Sequence, residues 1–331
     1  MQKFRLDLTH LGGVKLLLIV FIVCIHASPN VNNDLTYSTA AQIYIAQIIS
    51  RIAVPLYFFI SGYLMVKGLQ TYKDWTIKIK KRVHTILVPY IVWNALYGFL
   101  LFVLSHQFAI RTSVDSNMTI LEALRVIFIN PAISPLWFLR DLFFFQIIAL
   151  LYVFLSKQFR YVFIFAVSIL WLYSFHIVNS SISTEGAMFF ALGFFYWLPF
   201  FGFIKKQVKW FIPIAVVFSV LDLQIRYADY WWSLIFHRIT ILLLCYSFIY
   251  FVTESEAVKR FLNKLKRISK FSFYIFVLHF PLLHVSNHFL DSSSGVQFVL
   301  KVLLAVFISI GIGYLINFFP KISGVLTGNR R

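Results

Sequence analysis

The sequence predicts an all-α integral membrane fold: ten transmembrane helices in one polytopic domain, residues 1–331, with the N- and C-termini cytoplasmic and no separate soluble domain. Three observations predict it. Sixty per cent of the residues are hydrophobic and 13% are charged, whereas soluble domains carry roughly a quarter charged residues, so one soluble core could not hide this much apolar surface. The apolar residues fall into runs of about 20, the length a helix needs to cross the hydrocarbon layer. Basic side chains gather in every second connection, which is how cytoplasmic loops are marked.

The spans read off the sequence are 12–29, 42–66, 83–105, 135–156, 160–178, 186–204, 209–225, 231–252, 271–290 and 296–319. The first has a basic start and an apolar run like a signal peptide, but Lys15 and His26 inside the run argue for an uncleaved helix. The second carries Arg51 about nine residues in, and Pro55 four residues later cannot donate to the Arg51 carbonyl, so the backbone is loosened there. Ser61-Gly62 further along suits close helix packing. The third follows a connection holding Lys67, Lys73, Lys78, Lys80, Lys81 and Arg82. The long outer loop 106–134, with a short amphipathic stretch at 120–128, leads to the fourth. That span opens on Pro135, which suits a first helical turn, and Trp137, which suits an interface.

Spans five to eight alternate between the inner loops of Lys157 and Arg160 and of Lys205, Lys206 and Lys209 and outer loops that hold Glu185, Asp222 and Asp229. The eighth carries His237-Arg238, the ninth His279 and Pro281, and the tenth Lys301. Lysines and arginines outnumber acids by 30 to 12, a net charge of +18. Because the excess sits in short inner loops, it reads as an orientation signal rather than as a nucleic-acid surface. Cys24 and Cys245 both lie in apolar runs, so no disulfide framework or metal cluster is suggested.

An ionisable group at mid-membrane costs about 2.5–3.5 kcal/mol or more, so each one is a functional candidate. Lys15 and His26 stand eleven residues apart, three turns plus about 20°, which puts them on one face about 16 Å apart. A cation at the mouth and a base deeper in suit an elongated anionic donor. The plainer reading is a snorkelling lysine and a bundle histidine with its hydrogen bonds made. Arg51 beside a loosened backbone points to a cavity; an ion pair with an acid such as Asp141 is the alternative. Arg140 and Asp141, adjacent in sequence, are expected to face apart and to need partners on other helices. Neither a phosphate-binding glycine loop nor a dinucleotide fingerprint occurs, which argues against nucleotide-driven pumping.

Four segments in order resemble the membrane acyltransferase-3 family, which includes polysaccharide O-acetyltransferases. They are the basic residue and histidine of Lys15 and His26, the stretch RIAVPLYFFISGY from Arg51 to Tyr63, the stretch PLWFLRD from Pro135 to Asp141, and ISKFSFYIFVLH ending at His279. The resemblance covers essentially the whole chain. It implies a multi-pass enzyme of a bacterial plasma membrane that moves an acyl group, acetyl ahead of succinyl, from cytoplasmic acetyl-CoA to a hydroxyl. The acceptor would be a surface glycan or a lipid-linked sugar.

His26 falls on the family's essential histidine, Lys15 on its paired basic residue and Arg51 on a functional arginine. The implied roles are His26 and Arg51 in catalysis, Lys15 and Arg51 on the donor, and Trp137, Arg140, Asp141, His237, Arg238 and His279 around the acceptor, with no metal. Two departures touch the donor contacts. Lys15 stands where relatives usually have Arg, and Gly12 stands where an acid is usual. Many relatives carry an additional extracytoplasmic domain, which is not expected here. The partners implied are the acyl donor, the glycan acceptor, membrane lipids and a second copy of the chain. A transporter or flippase for a lipid-linked sugar is the rival reading, since buried charges and helix-breaking prolines suit it too. No internal repeat supports it.

Overall fold

With no water in hydrocarbon, each apolar run must satisfy its own N–H and C=O groups, and a helix does this within one segment. In the computed structural model, residues 10–28, 37–108, 118–119, 121–122, 125, 129–173, 182–195, 197–225, 232–290 and 294–329 are described. Among them the ordered elements are all helical. They are α1 (Leu11–His26), α2 (Tyr37–Ile43), α3 (Ala53–Val66), α4 (Tyr72–Arg82), α5 (Val88–Phe108), α6 (Trp137–Phe154) and α7 (Lys157–Leu172). There follow α8 (Thr184–Phe195), α9 (Trp197–Ile225), α10 (Ser233–Glu254), α11 (Glu256–Leu265), α12 (Ser272–Ser286), α13 (Gly295–Ile316) and α14 (Pro320–Thr327).

Six stretches are long and apolar enough to cross a membrane: Thr39–Val66, Tyr72–Leu104, Ser134–Phe154, Gln207–Ile225, Ser233–Glu254 and Gly295–Ile316. Glu256–Leu265 and Ser269–Ser286, bent by 63°, make a seventh if taken as one span. Three further predicted spans form shorter apolar helices, α1, α7 and α8. The chain is thus a helical membrane protein, and the count of ten and the side of each end belong to the proposed topology.

Several connections differ from the reading of the sequence. The basic segment before the third span is no loop: α4 carries it and runs through a π-helical turn, Val83–Leu87, into α5. Thr71 caps α4 in a capping box with Asp74. Lys78 turns back to donate to the carbonyls of Leu64 (3.2 Å) and Lys67 (2.7 Å), capping the end of α3. The basic segment before the ninth span likewise folds as α11, whose Leu262 packs on Gly13 of α1. The inner loop expected around Lys205, Lys206 and Lys209 lies inside α9, a helix of 29 residues. The amphipathic stretch at 120–128 falls largely outside the described residues.

The tightest helix pair is α3 with α8. A Cβ placed on Gly62 would lie 2.1 Å from the Phe190 carbonyl oxygen, and one on Gly193 would lie 2.0 Å from that of Phe59. Small residues let the backbones approach this closely. A Cβ on Gly186, seven residues before Gly193, would meet the ring of Phe58, four residues before Gly62. Early positions therefore meet early positions, and the two helices run in the same direction.

Candidate active site

The site grows from α1. Its sixteen residues form one uninterrupted helix, so Lys15 and His26 keep the eleven-residue spacing and the shared face. Tyr57 of α3 donates its hydroxyl to the Lys15 carbonyl at 2.5 Å, and the Gln47 amide donates to the Ile25 carbonyl at 3.5 Å, fixing α1 at both levels. His26 is half-buried and turned into the bundle. Its ring centre lies 5.2 Å from that of His279 and 5.4 Å from that of Phe280, which it meets edge-on.

The second helix predicted from the sequence is not a regular one. Between α2 and α3 the chain makes a π-helical turn, Tyr44–Ile49, and a 3-10 turn, Ser50–Ile52. The interruption restarts the helix at Ala53, so Pro55 falls in a first turn, where its missing N–H is not required. Arg51 sits in the irregular part. It donates through Nε and Nη2 to Gln47 Oε1 at 3.0 and 2.5 Å, and its charge reaches both His26 and Glu185.

Glu185 is the acid that the sequence reading placed in an outer loop. It lies in the first turn of α8, accepts from Trp171 Nε1 at 3.2 Å, and interacts electrostatically with Arg51 and Arg238. Arg238 also stands over the Trp171 ring, 5.5 Å from its centre. The acid facing Arg51 is therefore Glu185 and not Asp141.

Pro281 acts differently from Pro55, because it lies inside α12. Its ring nitrogen cannot donate to the Val277 carbonyl, which instead accepts from the Tyr97 hydroxyl at 2.7 Å. His279 is fully buried, and its Nδ1 lies 2.6 Å from the Phe276 carbonyl and 3.1 Å from that of Ile275. Phe138 and Phe276, with rings 5.9 Å apart, continue the wall from His279 toward Trp137.

A family model described as an acyltransferase domain matches residues 9–318. The chain belongs to the acyltransferase-3 family. It is also 27% identical over 308 residues to the succinoglycan biosynthesis protein ExoH of Rhizobium meliloti (strain 1021), covering 87% of this chain and 82% of that protein. No solved structure matches it. The chain is a membrane acyltransferase, and the donor and acceptor are taken up below.

Other candidates of this acyltransferase meet partners that the sequence did not reveal. Arg140 and Asp141, expected to face apart, form a salt bridge with each other, with Arg140 Nε and Nη2 at 2.9 and 2.7 Å from Asp141 Oδ1. Their place near the start of α6 explains it. The long arginine side chain folds back over the helix start and also donates to the Ile129 carbonyl in the preceding loop. Asp141 Oδ2 accepts from the Ser183 backbone at 2.8 Å, tying α6 to the start of α8.

His237 Nδ1 lies 2.6 Å from Oδ2 of Asp222. Asp222, expected in an outer loop, is instead fully buried within α9. Lys301 is buried in α13 and donates to Asn287 Oδ1 at 2.8 Å. Gln47, Glu185 and Asp222 are the polar residues that reading the sequence missed. A surface pocket of about 470 Å³ between the start of α5 and α14, lined in part by His84 and Lys321, shares no residue with this cluster.

Proposed function

We propose that this protein is an O-acyltransferase that moves an acetyl group from cytoplasmic acetyl-CoA to a hydroxyl of a surface glycan or lipid-linked sugar. The observation that carries the reading is His26 packed against His279 inside the bundle and within electrostatic reach of Arg51, on the helix that also bears Lys15. In the proposed mechanism Lys15 and neighbouring cations hold the phosphates of the donor. Arg51 offers hydrogen bonds to the thioester oxygen as it gains negative charge; loss of one such donor typically costs about 10²–10³ in rate.

His26 takes the proton of the acceptor hydroxyl as its oxygen bonds to the carbonyl carbon. The C–S bond then breaks, and the proton passes from His26 to the departing thiolate, which regenerates the imidazole. A variant of the scheme has His26 carry the acyl group first, losing the thiol to the donor side before the acceptor arrives. Trp137, Arg140, Asp141, His237, Arg238 and His279 surround the acceptor side. Both ends of the chain lie in the cytoplasm, with ten crossings of a bacterial plasma membrane.

The test is purified protein in lipid vesicles supplied with acetyl-CoA labelled in the acetyl group. The wild type should release coenzyme A and label its acceptor. His26→Ala should lose at least about 10² of that rate, at the low end for a general base, with its folded yield unchanged. Full transfer by His26→Ala would sink the mechanism. No consumption of acetyl-CoA by the wild type would favour the flippase reading.

A further inference from the structure

His279 Nδ1 sits within hydrogen-bond distance of two backbone carbonyls, those of Phe276 and Ile275. A carbonyl oxygen only accepts, so Nδ1 carries the hydrogen. In a neutral imidazole that leaves Nε2 as a bare acceptor. Nε2 of His279 is buried and has no hydrogen-bond partner among the described residues. Buried polar atoms are nearly always paired, so an orphan of this kind calls for an explanation.

The ring of His26 lies 5.2 Å away centre to centre and is tilted by 45°. As placed, the two rings make no hydrogen bond with each other, but each ring nitrogen lies ~1.2 Å from its ring centre, so turning the His26 ring about its Cβ–Cγ bond can bring one of its nitrogens to roughly 2.7–3.2 Å from Nε2, the ordinary hydrogen-bond range. Phe276 lies 6.2 Å from His279 and Phe280 meets His26 edge-on, so each imidazole also packs on an apolar ring.

We propose that His279 is a positioning residue for His26: with the His26 ring so turned, Nε2 of His279 accepts the N–H of one His26 nitrogen and so presents the other nitrogen, with its lone pair, to the acceptor hydroxyl. This rests on the acyl-transfer reading of His26 and narrows the place given to His279 on the acceptor side. The arrangement parallels the use of a fixed acceptor to set the tautomer of a catalytic histidine. Here the acceptor is a second imidazole whose own tautomer is set by the carbonyls of α12. Tyr97, donating to the Val277 carbonyl that Pro281 cannot serve, holds that segment in place.

The test measures His26 directly and needs no acyl donor. Diethyl pyrocarbonate acylates an imidazole through its lone pair, and the rate at the peptide containing His26 is read by mass spectrometry on the full-length protein in vesicles. In His279→Gln the side-chain amide oxygen can take the place of Nε2, so labelling should stay within about twofold of wild type. His279→Asn is a bond too short to reach, and His279→Leu has no acceptor. Both should label His26 at least about fivefold more slowly. If the leucine variant does not fold, the asparagine and glutamine pair carries the comparison.

Equal rates in all variants, or slowing in Gln as large as in Asn, would overturn the inference. With acetyl-CoA, His279→Asn should lower kcat about tenfold and leave KM for the donor unchanged. A wild type that turns over acetyl-CoA while His26 labelling ignores His279 sinks this inference alone. The expected labelling pattern in a protein that never consumes acetyl-CoA sinks the acyl-transfer reading instead.

Discussion

Replacing Gly193 by alanine strikes the closest approach between α3 and α8. The added Cβ would lie 2.0 Å from the carbonyl oxygen of Phe59, 2.8 Å from its carbonyl carbon and 3.1 Å from its Cα. These are backbone atoms, so no side chain can swing aside. Reaching ordinary contact at about 3.4 Å means opening the crossing by roughly 1.4 Å, and overpacking of this kind typically costs about 1–3 kcal/mol.

The damage should not stop at stability. α8 begins with Glu185, whose charge faces Arg51 just before α3, so spreading the helices separates that pair. The assay is denaturant unfolding in mixed micelles, with acetyl-CoA turnover measured on the folded fraction. Gly311→Ala is the control, because a Cβ there meets nothing within 4 Å. It should be neutral or stabilise by up to about 1 kcal/mol through helix propensity. If Gly193→Ala unfolds at the wild-type midpoint, the close-packed crossing is wrong.

Two further outcomes follow from named contacts. Tyr97→Phe leaves the Val277 carbonyl beside Pro281 without its donor, which should destabilise the protein by about 1–3 kcal/mol in the same unfolding assay; no loss would mean that another group caps that carbonyl. Glu185→Gln keeps an acceptor for Trp171 but removes the charge between Arg51 and Arg238, and turnover should fall at least tenfold, about 1.4 kcal/mol of barrier. Adding Arg238→Gln should recover part of any lost stability, and strictly additive effects would show that the two side chains do not interact.

The parts of this molecule written in local sequence were legible. Apolar runs gave the helices, and eleven-residue spacing put Lys15 and His26 on one face of α1. Pro55 marked the disturbed backbone that the structure resolves into a π turn and a 3-10 turn around Arg51. Gly62 was correctly read as a packing position. What failed was the identity of partners across helices. Glu185 and Asp222 stand near the ends of apolar runs, where hydropathy alone assigns them to loops, yet both lie within helices and meet Trp171 and His237. Arg140 and Asp141 failed for a different reason. The rule that neighbours point apart holds for short side chains in mid-helix, and a long arginine near a helix start evades it.

The common direction of α3 and α8 also constrains how the chain is threaded. Two helices that enter from the same face of a bilayer must be separated by an odd number of traverses. Between Val66 and Thr184, two stretches qualify by length and composition, Tyr72–Leu104 and Ser134–Phe154. Two is an even number, which would set α8 antiparallel to α3 and carry Gly186 away from Phe58. In the proposed ten-span topology the missing traverse falls to α7, only sixteen residues long, so the direction of the α3–α8 crossing is the one that a passage by α7 would require.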